Sequence, residues 1–176
     1  HKVVVNQSTT RAIDDIANEY GAEVTRTPVG EINVTSAMKE VGATIGGEGS
    51  GGVILPKIHL GRDSLVGIAL VLQYLADFGG PISGLKKTLP QYEITKGRVT
   101  FGTMDANERL RQIMTTYSNK GRISTLDGVK IDFDNSWVHL RKSNTEPIIR
   151  IIAEAPTKVQ ADDLAKKFQQ EILRNH

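Results

Sequence analysis

The residues that decide the fold of the second half are 137–155, WVHLRKSNTEPIIRIIAEA, in which two apolar runs flank a polar segment. Trp137–Leu140 and Ile148–Ala155 are rich in apolar and β-branched residues, so each run predicts a strand. The segment between them, Arg141 to Pro147, contains Ser, Asn and Thr before a Pro, which are ordinary residues of a turn. The stretch therefore predicts two strands joined by a short polar connection.

The same polar connection also suits an anionic ligand. A guanidinium (Arg141), two hydroxyls (Ser143 and Thr145) and a side-chain amide (Asn144) fall within five residues. They offer a planar fork of donors and rotatable hydroxyl donors, which match the oxygen atoms of a phosphate group. From spacing alone, a plain turn and a phosphate site both stay open.

Outward from this connection, residues 91–176 predict a small α+β domain with an antiparallel sheet. The further signals, in chain order, are an extended run at 94–101, a helix opening at Asp105 or Asn107, a hairpin turn at Asp127-Gly128 and a capping box from Thr157 to Gln160. The order β-α-β-β-β-α places the helices on one face of the sheet.

Residues 1–90 predict a mixed, mostly parallel α/β layer. Val3–Val5 and Glu23–Thr27 read as strands, and the helices that follow them end at Gly21 and Gly42. Strand, helix, strand, helix is the rhythm of an α/β domain. Because the first residues already read as a strand, we expect this sequence to be part of a longer one.

A strongly apolar helix is predicted from about Ser64 to Phe78. Its apolar residues cover most of the circumference, so we expect the helix to be buried on several sides. Arg62 and Asp63 stand at its start, where a helix-start ion pair or cap is the simplest interpretation and a ligand role is the alternative.

A glycine-rich loop at residues 46–52 carries two functional side chains, Glu48 and Ser50. Its five glycines allow the backbone to approach a ligand closely, and a carboxylate with a hydroxyl suits hydrogen bonds to sugar hydroxyls. A flexible hairpin turn explains the same residues equally well. The loop is not a nucleotide-binding P-loop, because no Gly-Lys-Ser/Thr follows it.

Composition excludes several classes of function. The net charge of +2 is close to balance and predicts no nucleic-acid partner and no membrane partner. No segment is long and apolar enough to span a bilayer. The absence of cysteine excludes disulfides, thiolate zinc sites and a cysteine nucleophile, and it is compatible with the cytoplasmic location that we expect. The four His residues show no metal-ligand spacing.

Taken together, the loops Gly47–Gly51 and Arg141–Pro147 resemble two signature loops of the α-D-phosphohexomutases. This family includes phosphoglucomutase, phosphomannomutase and phosphoglucosamine mutase. The first loop is similar to the family's sugar-binding loop, G-E-x-S-G-H, and the second to its phosphate-binding loop, R-x-S-G/N-T-E-P. The resemblance covers essentially the whole sequence and corresponds to the last two of the family's four domains. It implies an α/β domain followed by a TATA-binding-protein-like domain.

The resemblance also implies roles for individual residues. The residues expected to bind sugar hydroxyls are Glu48 and Ser50, those expected to hold the non-reacting phosphate are Arg141, Ser143, Asn144 and Thr145, and Glu31 is a possible cleft contact. The family's phosphoserine and magnesium loops lie in its first two domains, so we expect no catalytic residue and no metal ligand in this chain, which should be inactive alone. The implied partners are a sugar phosphate and the upstream domains 1 and 2. The implied cofactors are Mg²⁺ and an activator such as glucose 1,6-bisphosphate.

Two positions depart from the family pattern. Gly52 stands where many members have His, and Glu31 stands where bacterial phosphomannomutases often have His. The preferred hexose phosphate is therefore undefined. The alternative function is a non-enzymatic α/β module that binds an anion or RNA, although aromatic stacking residues and a basic stripe are lacking.

Overall fold

A computed structural model describes residues 1–102, 105–143 and 145–174. The chain divides into two compact units, His1–Gln91 and Tyr92–His176. The first is an α/β unit and the second an α+β unit with an antiparallel sheet, so the predicted fold class is confirmed.

The first unit alternates strands and helices. Its elements are β1 (Lys2–Asn6), α1 (Ala12–Glu19), β2 (Glu23–Thr27), α2 (Glu31–Val41), β3 (Ile45–Gly47), β4 (Val53–Ile54), α3 (Ser64–Phe78) and α4 (Ile82–Thr88). The sheet order is β2-β1-β3-β4, in which β1 pairs parallel with β2 and β3, and β4 pairs antiparallel with β3. The core lies between α2 and the sheet and includes Val4, Val34, Met38 and Ile54.

The start of the glycine-rich loop is a strand. The sequence predicts a loop from residue 46, but Gly46 and Gly47 belong to β3 and pair with Val4 and Val5. Glu48 is thus the first residue after a parallel strand. Side chains at the carboxyl ends of parallel strands face the crevice where α/β units bind ligands.

The apolar helix α3 differs from its prediction. None of its residues is buried, and Leu65, Ile68 and Leu72 are 76%, 55% and 58% exposed. Periodicity shows that a helix is apolar on all sides, but it does not show what packs against those sides. Among the described elements of this unit, α3 packs mainly against β4 and α4, and most of its surface stays open.

Within the described residues, no single helix has both the length and the apolarity needed to cross a membrane. The helices α3 and α4 meet both requirements only when taken as a pair, with a bend of 87° between them.

The second unit is a five-stranded sheet with two helices. Its elements are β5 (Glu93–Thr100), α5 (Ala106–Tyr117), β6 (Arg122–Ser124), β7 (Val129–Asp132), β8 (Trp137–Lys142), β9 (Ile148–Ala155) and α6 (Lys158–Leu173). The order is β5-β9-β8-β7-β6, and every pairing is antiparallel. Asp105 caps α5 and Thr157 caps α6, as the sequence predicts.

Strand alternation divides the sheet into an apolar and a polar face. Val138, Leu140 and Ile151 belong to the core with α5 and α6 residues such as Leu110 and Phe168. The residues between them in sequence point the other way because side chains alternate along a strand. Arg141 therefore lies on the polar face, near the end of β8, where the strand register places it opposite Arg150 of β9.

Candidate functional site

The Glu48 carboxylate is anchored from inside the first unit. Its Oε1 accepts hydrogen bonds from the Asn6 side-chain amide and the Gly30 backbone N–H, both at 3.0 Å. Its side chain is only 7% exposed. Two donors fix one oxygen atom, so the other oxygen, Oε2, is the one placed to meet a ligand or a further cation.

The loop after Glu48 is a tight turn. The Glu48 N–H donates to the Gly52 carbonyl at 3.0 Å, and the Gly51 N–H donates to the Glu48 carbonyl at 2.9 Å. Ser50 is exposed at the tip of this turn. The predicted turn is therefore present, and its backbone hydrogen bonds leave the side chains of Glu48 and Ser50 unused in closing it.

Asn6 is a site residue that the sequence reasoning missed. It ends β1, and its Oδ1 accepts hydrogen bonds from the Ser8 N–H at 3.1 Å and the Thr9 hydroxyl at 3.0 Å, while its amide nitrogen donates to Glu48. An Asn after an apolar strand was the available signal. Its position beside β3 depends on the strand order, which cannot be deduced from the sequence alone.

Glu31 lies in the same region, at the start of α2. Its Oε2 is 2.8 Å from Arg62 Nε, and its Oε1 accepts the Arg62 backbone N–H at 2.9 Å. These hydrogen bonds hold the pKa of Glu31 below its usual value, the backbone one having the larger effect. Asp63 caps α3 through the N–H groups of Leu65 and Val66, so the predicted cap is confirmed, while Arg62 pairs with Glu31 instead.

A groove of about 740 Å³ runs beside the glycine turn. Its polar wall includes Glu31, Ser50 and Arg62, and its apolar wall is formed by α3 residues such as Ile68 and Val71. The groove thus combines hydrogen-bonding groups with an apolar floor, as small-molecule sites do.

In the second unit, Arg141 is oriented by Asp127. Its Nε donates to Asp127 Oδ1 at 2.8 Å, and its side chain is 30% exposed. A contact through Nε leaves the terminal nitrogens as the fork that suits a phosphate. Asp127 was predicted only as a turn residue, so its role in holding Arg141 is new.

The turn at Asp127-Gly128 needs its glycine. Gly128 has φ of +75°, and a Cβ there would lie 3.1 Å from Arg141 Cα and even nearer the Leu140 carbonyl oxygen. Asp127 can therefore reach Arg141 because the backbone of the turn approaches β8 closely.

Three of the predicted phosphate ligands line one small cavity. The cavity, of about 170 Å³, is lined by Arg141, Lys142, Ser143, Thr145 and Arg150. The Ser143 hydroxyl accepts the backbone N–H of Thr145 at 3.4 Å and of Glu146 at 3.3 Å, which shapes the turn. The fourth predicted ligand, Asn144, lies outside the described residues.

Arg150 is the second residue that the sequence reasoning missed. It interrupts the apolar run of β9 and stands directly opposite Arg141 on β8 and Arg98 on β5. Like charges at directly opposed strand positions are destabilising, so three arginines in register favour an anion between or beside them. The signal was the one basic residue within 148–155, and the residues opposite it became visible only with the strand register.

Family comparison agrees with this division of the chain. Residues 1–92 match the family model for phosphoglucomutase/phosphomannomutase, alpha/beta/alpha domain III, and residues 95–171 match that for the C-terminal domain of the same family. The chain belongs to the phosphoglucomutase/phosphomannomutase family. The resemblance inferred from the two loops is thereby confirmed. The alternative, a non-enzymatic module that binds an anion or RNA, finds no support in these family matches.

Relatives within the phosphoglucomutase/phosphomannomutase family include archaeal proteins. A phosphoglucomutase/phosphomannomutase of Thermococcus kodakarensis is 39% identical, with 98% of this chain and 38% of that protein covered. A probable phosphoglucosamine mutase of Methanopyrus kandleri is 35% identical, with 95% of this chain and 37% of that protein covered. The chain thus spans well under half the length of these relatives.

The fold is also shared with solved members of the family. A phosphoglucomutase/phosphomannomutase family protein of Burkholderia thailandensis superposes with a TM-score of 0.79 at 24% identity, covering 97% of this chain and 37% of that one. At this identity the likeness concerns the fold.

Proposed function

We propose that the protein carrying this chain is a phosphohexose mutase and that the chain supplies its substrate recognition. The reaction would interconvert hexose 1-phosphate and hexose 6-phosphate through an enzyme phosphoserine and a bisphosphorylated sugar. Family membership supports the class of reaction. The observation that carries the role of this chain is the cavity where Arg141 and Arg150 meet the hydroxyl-bearing turn of Ser143 and Thr145.

The cavity suits the phosphate that does not react. Its volume of about 170 Å³ is below the roughly 300–1,000 Å³ of pockets for drug-sized ligands. Two guanidinium groups provide charge-assisted, bidentate contacts, and the hydroxyls of Ser143 and Thr145 add donors that rotate to suit the phosphate oxygens. Asn144 belongs to the same proposal through its place in the loop.

The groove of the first unit suits the sugar ring. Glu48 Oε2 and the exposed Ser50 hydroxyl would accept and donate hydrogen bonds to sugar hydroxyls, with Glu31 as a further contact at the groove wall. A substrate that binds in two opposite orientations needs contacts that tolerate both, and hydroxyl–carboxylate hydrogen bonds meet that need. Phosphoryl transfer depends mainly on such positioning and on charge stabilisation.

In this proposal the reactive groups lie outside the present chain. Among the described residues, no three His, Asp or Glu side chains gather as a metal site, so no step through Mg²⁺ is assigned to them. The phosphoserine, the Mg²⁺ ligands and any bisphosphate activator are assigned to upstream domains of the full-length protein. A cytoplasmic location is part of the proposal, because a chain without cysteine suits a reducing compartment.

The open face of α3 is proposed to pack against those upstream domains. Leu65, Leu70 and Tyr74 are exposed apolar residues of α3 that do not line the groove, and they define this face. Exposed apolar surface of this kind marks an interaction site. The proposed partner of this face is the preceding part of the same polypeptide, because the relatives are much longer than this chain.

Serine at positions 65, 70 and 74, which lie outside the groove lining, tests this contact. The triple variant of the full-length protein is expected to melt several degrees lower, since about 1.5–3 kcal/mol of transfer free energy is lost for each buried side chain of this type. Ile32→Ser is the matched control, because Ile32 is 74% exposed on α2. An unchanged melting temperature of the triple variant would contradict the contact, and loss of concentration-dependent self-association in its place would identify a second copy as the occupant.

Kinetic assays test the reaction. We expect the full-length protein to convert at least one of glucose 1-phosphate, mannose 1-phosphate and glucosamine 6-phosphate, while the 176-residue chain alone converts none. Turnover by the chain alone would overturn the division of roles. Absence of turnover by the full-length protein on all three substrates, with Mg²⁺ present, would overturn the proposed reaction.

A further inference from the structure

Arg62 contacts two carboxylates, Glu31 in the groove wall and Glu48 just behind it. Its Nε and backbone N–H bind Glu31 at 2.8 and 2.9 Å, and its Nη1 is 3.5 Å from Glu48 Oε2. This Oε2 atom is the Glu48 oxygen that accepts no hydrogen bond from Asn6 or Gly30, because both of these donate to Oε1. Arg62 therefore holds the carboxylate from the groove side, while the core holds it from the other side.

The side chain of Arg62 also explains the glycine at position 52. A Cβ on Gly52 would lie 2.7 Å from Arg62 Cγ and closer still to Cδ. The stem of Arg62 thus fills the space that any side chain at position 52 would need. At this wall of the groove, the Arg62 side chain therefore occupies the space that a side chain at position 52 of the glycine-rich loop would fill.

The acidic residues near the groove make the positive charge at position 62 important for an anionic ligand. Among the described lining residues, Arg62 alone is cationic, while Glu31 and Asp63 are acidic and Glu48 lies just behind. Without Arg62, Glu31 and Glu48 would face an approaching sugar phosphate as two uncompensated negative charges. With Arg62, one of these charges is offset, and the guanidinium still has N–H groups to spare.

We propose that Arg62 is a positioning residue that holds Glu48 Oε2 toward the groove and offsets the charge of Glu31 and Glu48 for an anionic sugar. This inference rests on the proposed function for its substrate and goes beyond it in assigning the role to a residue outside both signature loops. Arg62 performs no bond-breaking step. Its effect reaches the substrate through Glu48 and through the local potential.

Kinetics of the full-length protein give the first test. Arg62→Met is expected to raise KM about tenfold with a much smaller change in kcat, as for loss of one half-exposed charged hydrogen bond. Arg62→Lys keeps the charge but not the forked geometry, so it should recover part of the loss. Arg111→Met removes a comparable exposed ion pair on α5, with Glu108 at 2.8 Å, and should change neither constant.

A double-mutant cycle tests the Gly52 contact. Gly52→Ala should push Arg62 aside and raise KM, whereas adding Gly52→Ala to Arg62→Met should cause little further change. Independent, multiplying effects of the two substitutions would contradict the contact. A KM for Arg62→Met equal to that of the wild type would overturn the positioning role itself.

A readout without substrate separates this inference from the proposed function. The Gly30 N–H donates to Glu48 Oε1 at 3.0 Å, so its amide proton shift reports on the position of the carboxylate. In NMR spectra of the full-length protein, Arg62→Met should move the Gly30 signal and Arg111→Met should not. A Gly30 signal that stays in place would overturn the inference even if the mutase is active, and a shifted signal would support it even if no hexose phosphate is turned over.

Discussion

Two strand ends carry opposite charges, Glu48 directly after β3 and Arg141 near the end of β8, and the structure holds these two side chains in different ways. Glu48 is almost enclosed, and its inner oxygen is saturated by two N–H donors. Arg141 is 30% exposed and is held through Nε by a single carboxylate, Asp127. The first arrangement suits neutral donors whose geometry decides the contact, and the second suits an anion whose charge decides it. In the proposed function, recognition of hydroxyls and recognition of phosphate are therefore separated between the two units.

The largest effect is expected at the cationic loop. Arg141→Ala in the full-length protein should lower kcat/KM by roughly 100-fold or more, because a bidentate phosphate contact is lost and the substrate is misplaced. Arg141→Lys should restore only part of this, since an ammonium cannot form the fork. Arg122→Ala, at an 83% exposed side chain, is the control for removal of a positive charge. Unchanged constants for Arg141→Ala would remove the phosphate assignment.

The anchored carboxylate should give the next largest effect. Glu48→Gln keeps the shape of the side chain but removes its charge, and we expect kcat/KM to fall about tenfold. This loss should change little between low and high salt, whereas the loss in Arg141→Ala, which removes a charge, should depend on salt. Steady-state kinetics at two ionic strengths measure both. Equal salt dependence at the two sites would break the distinction between hydroxyl and phosphate recognition.

Asp127 is expected to act through Arg141. Asp127→Asn keeps the turn but weakens the contact to Arg141 Nε, so KM should rise by roughly threefold to tenfold at constant kcat. In an Arg141→Ala background the same substitution should have almost no further effect, because the residue that it orients is absent. An undiminished effect in that background would show that Asp127 acts by another route.

The sequence predicts local structure well where one pattern decides it. The hairpin at Asp127-Gly128, the caps at Asp63 and Asp105 and the strand run of β9 depend on neighbouring residues, and the structure contains them all. The helix α3 shows the opposite case. Its apolar surface is plain in the sequence, but burial depends on what packs against it, which lies beyond the helix itself.

The site residues divide in the same way. Glu48 and Arg141 are visible within short motifs, whereas Asn6, Arg62 and Arg150 come from other parts of the sequence. Their roles depend on which strands are neighbours and on the register between them, as with Arg150 opposite Arg141. Non-local pairing of this kind has no signature in a single sequence. The two loops therefore predict the ligand class, and the structure supplies the residues that hold the loops.

Mild acid should loosen the second unit before the first. Burial lowers the pKa of His139, with its contact to Asp127 opposing that change and the charges of Lys130 and Arg141 adding to it. Above about pH 6.5 the ring is neutral in the folded and unfolded chain alike, and below it the unfolded chain binds a proton more readily. Stability is therefore lost as pH falls from about 6.5 toward the lower folded pKa.

Thermal melts at pH 7.5 and 5.5 measure this effect. The melting temperature should fall with pH, by about 4–8 °C for each kcal/mol lost in a unit of this size, and His139→Gln should flatten the dependence. The pKa of Glu31 in the first unit is also lowered, so its stabilising contribution is lost only below its ordinary value of about 4.5. A pH dependence that survives His139→Gln would assign it to other groups.

The smallest effect is expected at Arg98, where stability and binding should change in opposite directions. Arg98 is exposed on β5, directly opposite Arg150, which in turn is opposite Arg141. Because opposed like charges on neighbouring strands repel, Arg98→Ala should stabilise the phosphate-free protein by about 0.2–1 kcal/mol. The same substitution removes positive potential beside the cavity, so inorganic phosphate should raise the melting temperature less than in the wild type. Arg111→Ala, on the helical side, serves as the control. If Arg98→Ala changes neither quantity, the register of three arginines is only a surface feature, and the phosphate site is confined to Arg141, Arg150 and their turn.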